Sequence, residues 1–410
     1  HWCHVMAHES FEDEETAALI NELYVPVKID REERPDIDAW LQNAMAVTGE
    51  RGGWPLTAFL TAKGEPFWAG TYFPKEDAMG RPAFKTVLSQ ISQRYREKPE
   101  ATQPNIEHIK QITNSAWNQD RSGKMDSLLI EHVSIATAQR FDIFFGGMTG
   151  APKFPSLSAV ALAWRAYQRT GTPQFAQIVM TSLDSMSRGG IYDHVGGGFS
   201  RYAVDERWIV PHFEKMLYDN AAFIEVLTLI WQSSRNPAFG SRVDRTVEWL
   251  FRDMLVEDAG FAASVDADSE GEEGKYYVWT EAEIDAALVG TLIPRFKEVH
   301  GVTAEGNYNG SNILHRYIPF PDLTDADEKL FETQCGKLLE VREKRVKPAR
   351  DDKVLTDWNG MMIAALAFAG PALQRPEWVR QAEKAFAFVC EKLGDGDKLF
   401  HTYRAGKSQH

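Results

Sequence analysis

FEDEETAALINELYVPVKIDREERPDID, residues 11–38, changes its hydrophobic period twice within one short stretch. Its first half predicts a helix, with Ser10 as the capping residue and Asp13 three residues on. Val25, Val27 and Ile29 then alternate as a strand requires, and Pro35 opens a second helix with Ile37, Trp40, Leu41 and Met45 on one face. Further on, GERGGWPLTAFLT (49–61) gives a glycine turn leading into a strand, and GEPFWAGTYF (64–73) reads as hairpin-like. Helix, strand, helix, strand, strand is a mixed α/β order, and it leaves a sheet without its first strand.

From about residue 125 the pattern becomes helical. Val243, Val247, Leu250 and Met254 share one helical face, as do Trp378, Ala382, Ala385, Val389 and Leu393. Further helices are expected at 125–140, 156–170, 174–188, 213–233, 325–345 and 359–370, separated by long Gly- and Pro-bearing loops. Paired helices in this rhythm suit an α/α toroid or a helical solenoid, and no fixed-period repeat separates the two. The polar stretch that begins near 97 reads as a connector. The fold class expected is therefore α+β multidomain: an incomplete α/β unit at 1–100, a connector at 101–124, and a mainly helical unit at 125–410.

The 410-residue chain carries 45 Lys and Arg against 59 Asp and Glu, a net charge of −14, which argues against nucleic acid as a partner. No apolar run approaches the roughly 20 residues that span a bilayer, so no membrane partner is expected. Three cysteines, Cys3, Cys335 and Cys390, are neither the number nor the spacing of a secreted disulfide framework. HWCHVMAHESFEDEE at the start is not a basic-then-apolar leader, although the missing initiator Met leaves an upstream leader open. The expected location is cytoplasmic.

Two regions carry chemistry. Cys3 stands ahead of a helical stretch, where the helix dipole and unpaired N–H groups stabilise a thiolate; the plainer reading is a small half-buried residue. A zinc site at His1, Cys3, His4 and His8 lacks a familiar spacing and a fourth ligand, so no metal is expected. The acidic DREERPDID reads as a solvated loop, and Cys335 and Cys390 as structural.

The second region is RGGIYDHVGGGFSRYAVDERWIVPHFEKMLYDN (188–220), where glycines crowd beside Tyr192, Asp193, His194, Arg201 and Tyr202. His212 and Lys215 are expected near a helix start, with Asp219 about two turns on and on a similar face. Asp266 and Asp268 follow Phe261, and TDWNG supplies Asp357, Trp358 and Asn359. Flat aromatic faces beside hydroxyl-binding polar groups suit a sugar. His194 and His212 are candidate bases for epimerase or isomerase chemistry, with Asp357 as a third catalytic candidate. Paired carboxylates from Asp193, Asp219, Asp266, Asp268 and Asp357 would instead suit a glycosidase. Tyr192, Arg201, Tyr202, Asp219, Asp266, Asp268, Trp358 and Asn359 are expected to contact substrate; the plainer reading is that these loops cross-brace one another and the aspartates cap helices.

HWCHVMAHESFEDEE, VKIDREERPDID, GGWPLTAFLT, GTYFP, FFGGMTGAPKFP, the 188–220 block, SVDADSEGEEGKYYVWT and DDKVLTDWNGMMI together resemble the thioredoxin-domain proteins related to spermatogenesis-associated protein 20. That resemblance implies a thioredoxin fold joined to an (α/α)6 six-hairpin domain similar to N-acylglucosamine 2-epimerases. Relatives read Cys-His-Trp-Cys-His at the start, so the chain is expected to begin one residue inside a C-x-x-C motif and to stop before the toroid is complete. The resemblance also puts the cis-proline opposite the thiol at Pro55. It implies a sugar epimerase- or isomerase-like enzyme needing no cofactor, with a sugar-like small molecule and a redox protein as partners. The alternatives are a thiol–disulfide oxidoreductase and a non-catalytic binding or chaperone-like scaffold.

Overall fold

The computed structural model describes residues 2–47, 52–78, 80–117, 128–288, 290, 293–316 and 323–410. The chain divides into two units, His1–Lys124 and Met125–His410.

In the first unit the helix Glu14–Leu23 is capped by Asp13, whose Oδ2 accepts from the Thr16 N–H at 3.0 Å and the Thr16 hydroxyl at 2.7 Å. Ser10 does not cap it. That residue lies inside a π-turn, Ala7–Phe11, which follows directly on the short helix Trp2–Met6. The expected strand over Val25–Asp30 is also corrected. Its alternation is intact, but no strand pairs with it among the described residues, and Val25 and Val27 are 90% and 75% exposed. A strand exists only through its neighbours' hydrogen bonds, which a local pattern cannot supply.

The helix Pro35–Val47 forms as expected, with Leu41 and Met45 buried. Thr57–Leu60 and Pro66–Gly70 make the antiparallel hairpin, pairing Thr57 with Gly70 and Phe59 with Trp68. Phe59, Phe67, Phe73 and Phe84 fill the core beside it, Phe73 stacked on Phe84 at 5.7 Å. The connector needs correction as well. Gln103–Trp117 is a helix that packs on the hairpin, burying Ile106 and Ile109, and the Asn105 amide donates to the Phe67 carbonyl at 3.2 Å. Two apolar positions three apart sufficed to dock an otherwise polar segment. Residues 118–124 of that connector, like His1, lie outside the described residues.

The second unit is mainly helical and built from hairpins of the (α/α) kind. Leu157–Thr170 turns through Gly171, at φ 69°, into Pro173–Arg188, and the two pack together. Leu217–Ser234 packs on Pro237–Asp253 and on Thr356–Ala372, which packs in turn on Pro376–Leu393. Both apolar faces read from the sequence, Val243 to Met254 and Trp378 to Leu393, are buried. Each fully buried Val, Leu or Phe there contributes about 1.5–3 kcal/mol.

One helix begins later than expected. Residues 211–216 are extended instead: Pro211–His212 pairs with Tyr202–Ala203, and Lys215–Met216 pairs with Ser264–Val265, which pairs with Arg350–Asp351. Strand partners distant in sequence overrode a local helical reading. No helix among the described residues is long and apolar enough to cross a membrane.

Candidate functional site

The register of the Tyr202–Ala203 and Pro211–His212 pair sets Tyr202 opposite His212, and their rings stack at 4.9 Å. Arg201 is tied to the same ladder, since its N–H donates to the Glu214 carbonyl at 2.8 Å. Its guanidinium then meets the Glu214 carboxylate, Nη1 to Oε2 at 2.9 Å. His212 stands between two carboxylates, with Nδ1 2.7 Å from Glu273 Oε1 and Nε2 3.7 Å from Glu214 Oε2. Glu273 arrives on the tight pair Asp268–Ser269 with Glu272–Glu273, in which Asp268 is its direct partner.

Burial works against a charge on His212, but Glu214 and Glu273 outweigh it and raise the ring's pKa above the ordinary 6.5. Burial likewise opposes the charge on Glu214, yet the imidazole and Arg201 hold its carboxyl down at about 2.

Asp219, in the first turn of Leu217–Ser234, behaves in the opposite way. Its Oδ2 is sealed from solvent with no hydrogen-bond partner. Burial pushes its pKa from 3.8 up to about 7, with Arg201 pulling down and Glu214 pushing up. The preceding Tyr218 packs edge-on against Trp358 at 4.7 Å, which brings the 357–359 segment to the cluster through its tryptophan.

Two expected contact residues, Tyr192 and Asn359, and one candidate base, His194, lie elsewhere. Tyr192 is 1% exposed, with the Arg242 guanidinium 4.2 Å over its ring, so it is a core residue. His194 is buried too, its Nε2 3.0 Å from the Gly189 carbonyl; burial, with Arg242 and His300 beside it, drives its pKa well below 6.5. A neutral ring committed to backbone is not positioned as a solvent-side base. Asn359 is fully buried, and its amide bonds only to backbone groups of Phe261 and Leu355.

Asp357 is exposed, and its Oδ1 accepts from the Trp358 N–H at 2.9 Å. Asp266 spends Oδ1 on the Ala267 N–H. In the first unit Cys3 is exposed on the helix Trp2–Met6, no cysteine is in a disulfide, and the Trp54–Pro55 peptide is cis.

Glu214 and Glu273 were missed from sequence. The signal for Glu214 was there in PHFEKM, where His212 and Glu214 alternate with Phe213 and Lys215 as in a strand. Asp193, weighed only as a glycosidase carboxylate, is a hub: it receives both Arg342 Nη groups at 2.9 Å and the Lys215 ammonium at 2.8 Å. Burial would raise its pKa, but these cations hold it well below 3.8. The glycines beside it are required by close approach: Gly197 has φ 82°, and a Cβ there would meet the Arg245 carbonyl oxygen at 2.1 Å.

Residues 1–114 match the family model Thioredox_DsbH, described as "Protein of unknown function, DUF255". The match therefore takes in most of the Gln103–Trp117 helix that packs on the hairpin. Spermatogenesis-associated protein 20 of Homo sapiens is 32% identical over 96% of this chain and 55% of its own length. Its Mus musculus counterpart is 33% identical over 99% of this chain and 57% of its own. The chain thus spans little more than half the length of these relatives.

Among solved structures, an inactive variant of an alpha-1,6-mannanase of Salegentibacter sp. HEL1_6 is similar at 11% identity and TM-score 0.38, covering 75% of this chain and 60% of that one. Cellobiose 2-epimerase from Spirochaeta thermophila is similar at 12% identity and TM-score 0.28, over 70% and 92%. By sequence the chain is thus homologous to spermatogenesis-associated protein 20 over nearly all of its own length, and its first 114 residues carry the thioredoxin-type family match.

Proposed function

We propose that the second unit acts on a reducing sugar by proton transfer at a carbon beside the carbonyl, as an epimerase or isomerase does. The observation that carries this reading is the contrast between Asp219 and His212. Asp219 keeps an unpartnered oxygen and a pKa of about 7, suited to taking a proton at neutral pH. His212, held toward its cationic form by two carboxylates, is suited to giving one. An aspartate raised to about 7 and a histidine held toward its protonated form, both within the Arg201 and Glu214 cluster, put a base and an acid in complementary states at neutral pH.

In the step proposed, the Asp219 carboxylate removes the proton from the carbon, and the electron pair moves into the carbonyl. His212 protonates the developing oxyanion to give an enediol. His212 takes an enediol hydroxyl proton back as a carbonyl re-forms, while the carbon is protonated from solvent on the opposite face to give the epimer, or from Asp219 at the neighbouring carbon to give the isomer. Tyr202, Tyr218 and Trp358 supply aromatic faces for a pyranose ring, and Arg201 is within reach of hydroxyls. The base falls to Asp219 rather than to either histidine.

Incubating a panel of reducing sugars with the protein in D2O tests this, since solvent deuterium appears at the carbon beside the carbonyl whatever the product. Incorporation that is lost in Asp219→Asn is expected. An absence of incorporation across aldoses and ketoses overturns it.

A redox role for the first unit is a second reading, supported by the exposed Cys3 within the matched thioredoxin-type family region. Its partner would be a protein disulfide: the Cys3 thiolate attacks one sulfur, the other leaves as a thiolate, and the resulting mixed disulfide at Cys3, preserved by acid quench and seen by mass spectrometry, is the readout.

A further inference from the structure

Side chains along 211–216 leave the backbone in opposite directions. His212 and Glu214 take the side of the candidate site. Phe213 and Lys215 take the other, where Phe213 stacks on Tyr277 at 5.5 Å and the Lys215 ammonium lies 5.0 Å from the same ring. On that side opens a cavity of about 220 Å³ lined by Lys215, Arg252, Arg342, Lys347, Arg350 and Asp253. Its cations come from distant segments: the three-stranded ladder sets Lys215 beside Val265 and Val265 beside Arg350, and Arg342 ends the helix Asp325–Arg342.

The charges do not balance. Five cations face three carboxylates, namely Asp253 in the wall, Asp193 behind Arg342 and Lys215, and Glu343 on Lys347. Two positive charges are left over in a chain whose net charge is −14. Among the described residues Arg350 meets no carboxylate, and its Nη1 donates only to the Asp253 and Leu255 carbonyls. Arg342 is 2% exposed, and its Nε has no acceptor. A buried donor without a partner is a cost that an anion in the cavity would remove, and the Arg350 guanidinium has no carboxylate competing for one.

We propose that this cavity binds the phosphate group of a phosphorylated small molecule, seated among Lys215, Arg342 and Arg350, with the organic part against Trp249 and Tyr276. A phosphate monoester carries about −1.5 to −2 at neutral pH, which matches the two unbalanced charges where a carboxylate leaves one. Burial has pushed Lys215 down to about 8, and an anion beside it would favour the ammonium further. The bounded volume and the chain's overall negative charge select a small anion over a polymeric one.

Isothermal titration of the whole chain with inorganic phosphate at pH 7.5 and fixed ionic strength, with acetate as control, is the test. Saturable phosphate binding is expected, weakened at least fivefold in Arg350→Gln or in Lys347→Gln, and unchanged in His212→Gln. Arg350 and Lys347 are exposed, and unfolding curves of both variants confirm that they fold. No saturation with phosphate, equal binding of acetate, loss of binding in His212→Gln, or wild-type affinity in both basic-residue variants overturns the proposal.

Discussion

Asn220 and Asn359 make the same three hydrogen bonds at the same step of two different helices. Each Oδ1 accepts from a phenylalanine N–H, Phe199 at 2.8 Å and Phe261 at 2.9 Å, and each Nδ2 returns a bond to that residue's carbonyl at 3.0 Å. Each Nδ2 also donates to the carbonyl four residues earlier, Met216 at 2.9 Å and Leu355 at 3.0 Å. A glycine precedes each phenylalanine and a short strand precedes each helix, so one supersecondary unit occurs twice. The equivalence also puts Asp219 and Trp358 at matching positions, one residue before the asparagine.

Replacing either asparagine by alanine leaves the buried N–H and C=O of its phenylalanine unmet, whereas the N-cap carbonyl still accepts the first helical bond. A loss of roughly 2–4 kcal/mol is expected for Asn220→Ala and a similar loss for Asn359→Ala. Chemical denaturation measures both; a pair differing several-fold would contradict their equivalence.

Asp193→Asn strands two buried cations, Lys215 and Arg342. Breaking a buried ion network by removing one partner typically costs about 3–5 kcal/mol. A melting temperature within a degree of wild type would show that the network is not structural.

Asp219→Asn is expected to lower solvent-proton exchange into a sugar by about 10²–10⁴-fold, the usual contribution of a positioned base. The wild-type rate should rise as pH passes about 7, where Asp219 ionises, and fall at higher pH as His212 loses its proton. Initial rates across pH 5–9 test both limbs.

The same two groups make stability depend on pH. Asp219 binds its proton more tightly folded than unfolded, so its contribution is fully present below about 3.8 and is lost as pH rises through about 7. His212, also raised, contributes fully below 6.5 and loses that contribution as pH passes its folded value. Wild type should therefore weaken between pH 4 and 8 relative to Asp219→Asn. Parallel melting curves at both ends of that range would contradict the Asp219 shift.

Cys3 and Cys390 are exposed, whereas Cys335 is buried and its thiol is pushed up to about 11. Iodoacetamide should label two thiols in the native protein and the third only in denaturant, counted by mass spectrometry.

Much of the architecture was legible because periodicity is local. The faces Val243 to Met254 and Trp378 to Leu393 were each read from one segment, as were the helix from Pro35 and the hairpin through Thr57 and Gly70. Misreadings arose wherever a second segment had to be known. Val25 to Ile29 has a strand's alternation without a described partner, and residues 211–216 took partners from Tyr202 and Val265 in place of a helix.

The candidate site divides along the same line. Residue types alone marked Arg201, Tyr202, His212 and Asp219 as polar and aromatic groups fit for a ligand, and the sequence by itself determined that inventory, together with the homology. Only the tertiary structure decided that Glu273 reaches His212, that Tyr192 and His194 face the core, and that Lys215 and Arg350 share one cavity. Charge and hydrogen-bond energies depend on distance and burial, and both are set by strand register between segments that no local pattern connects.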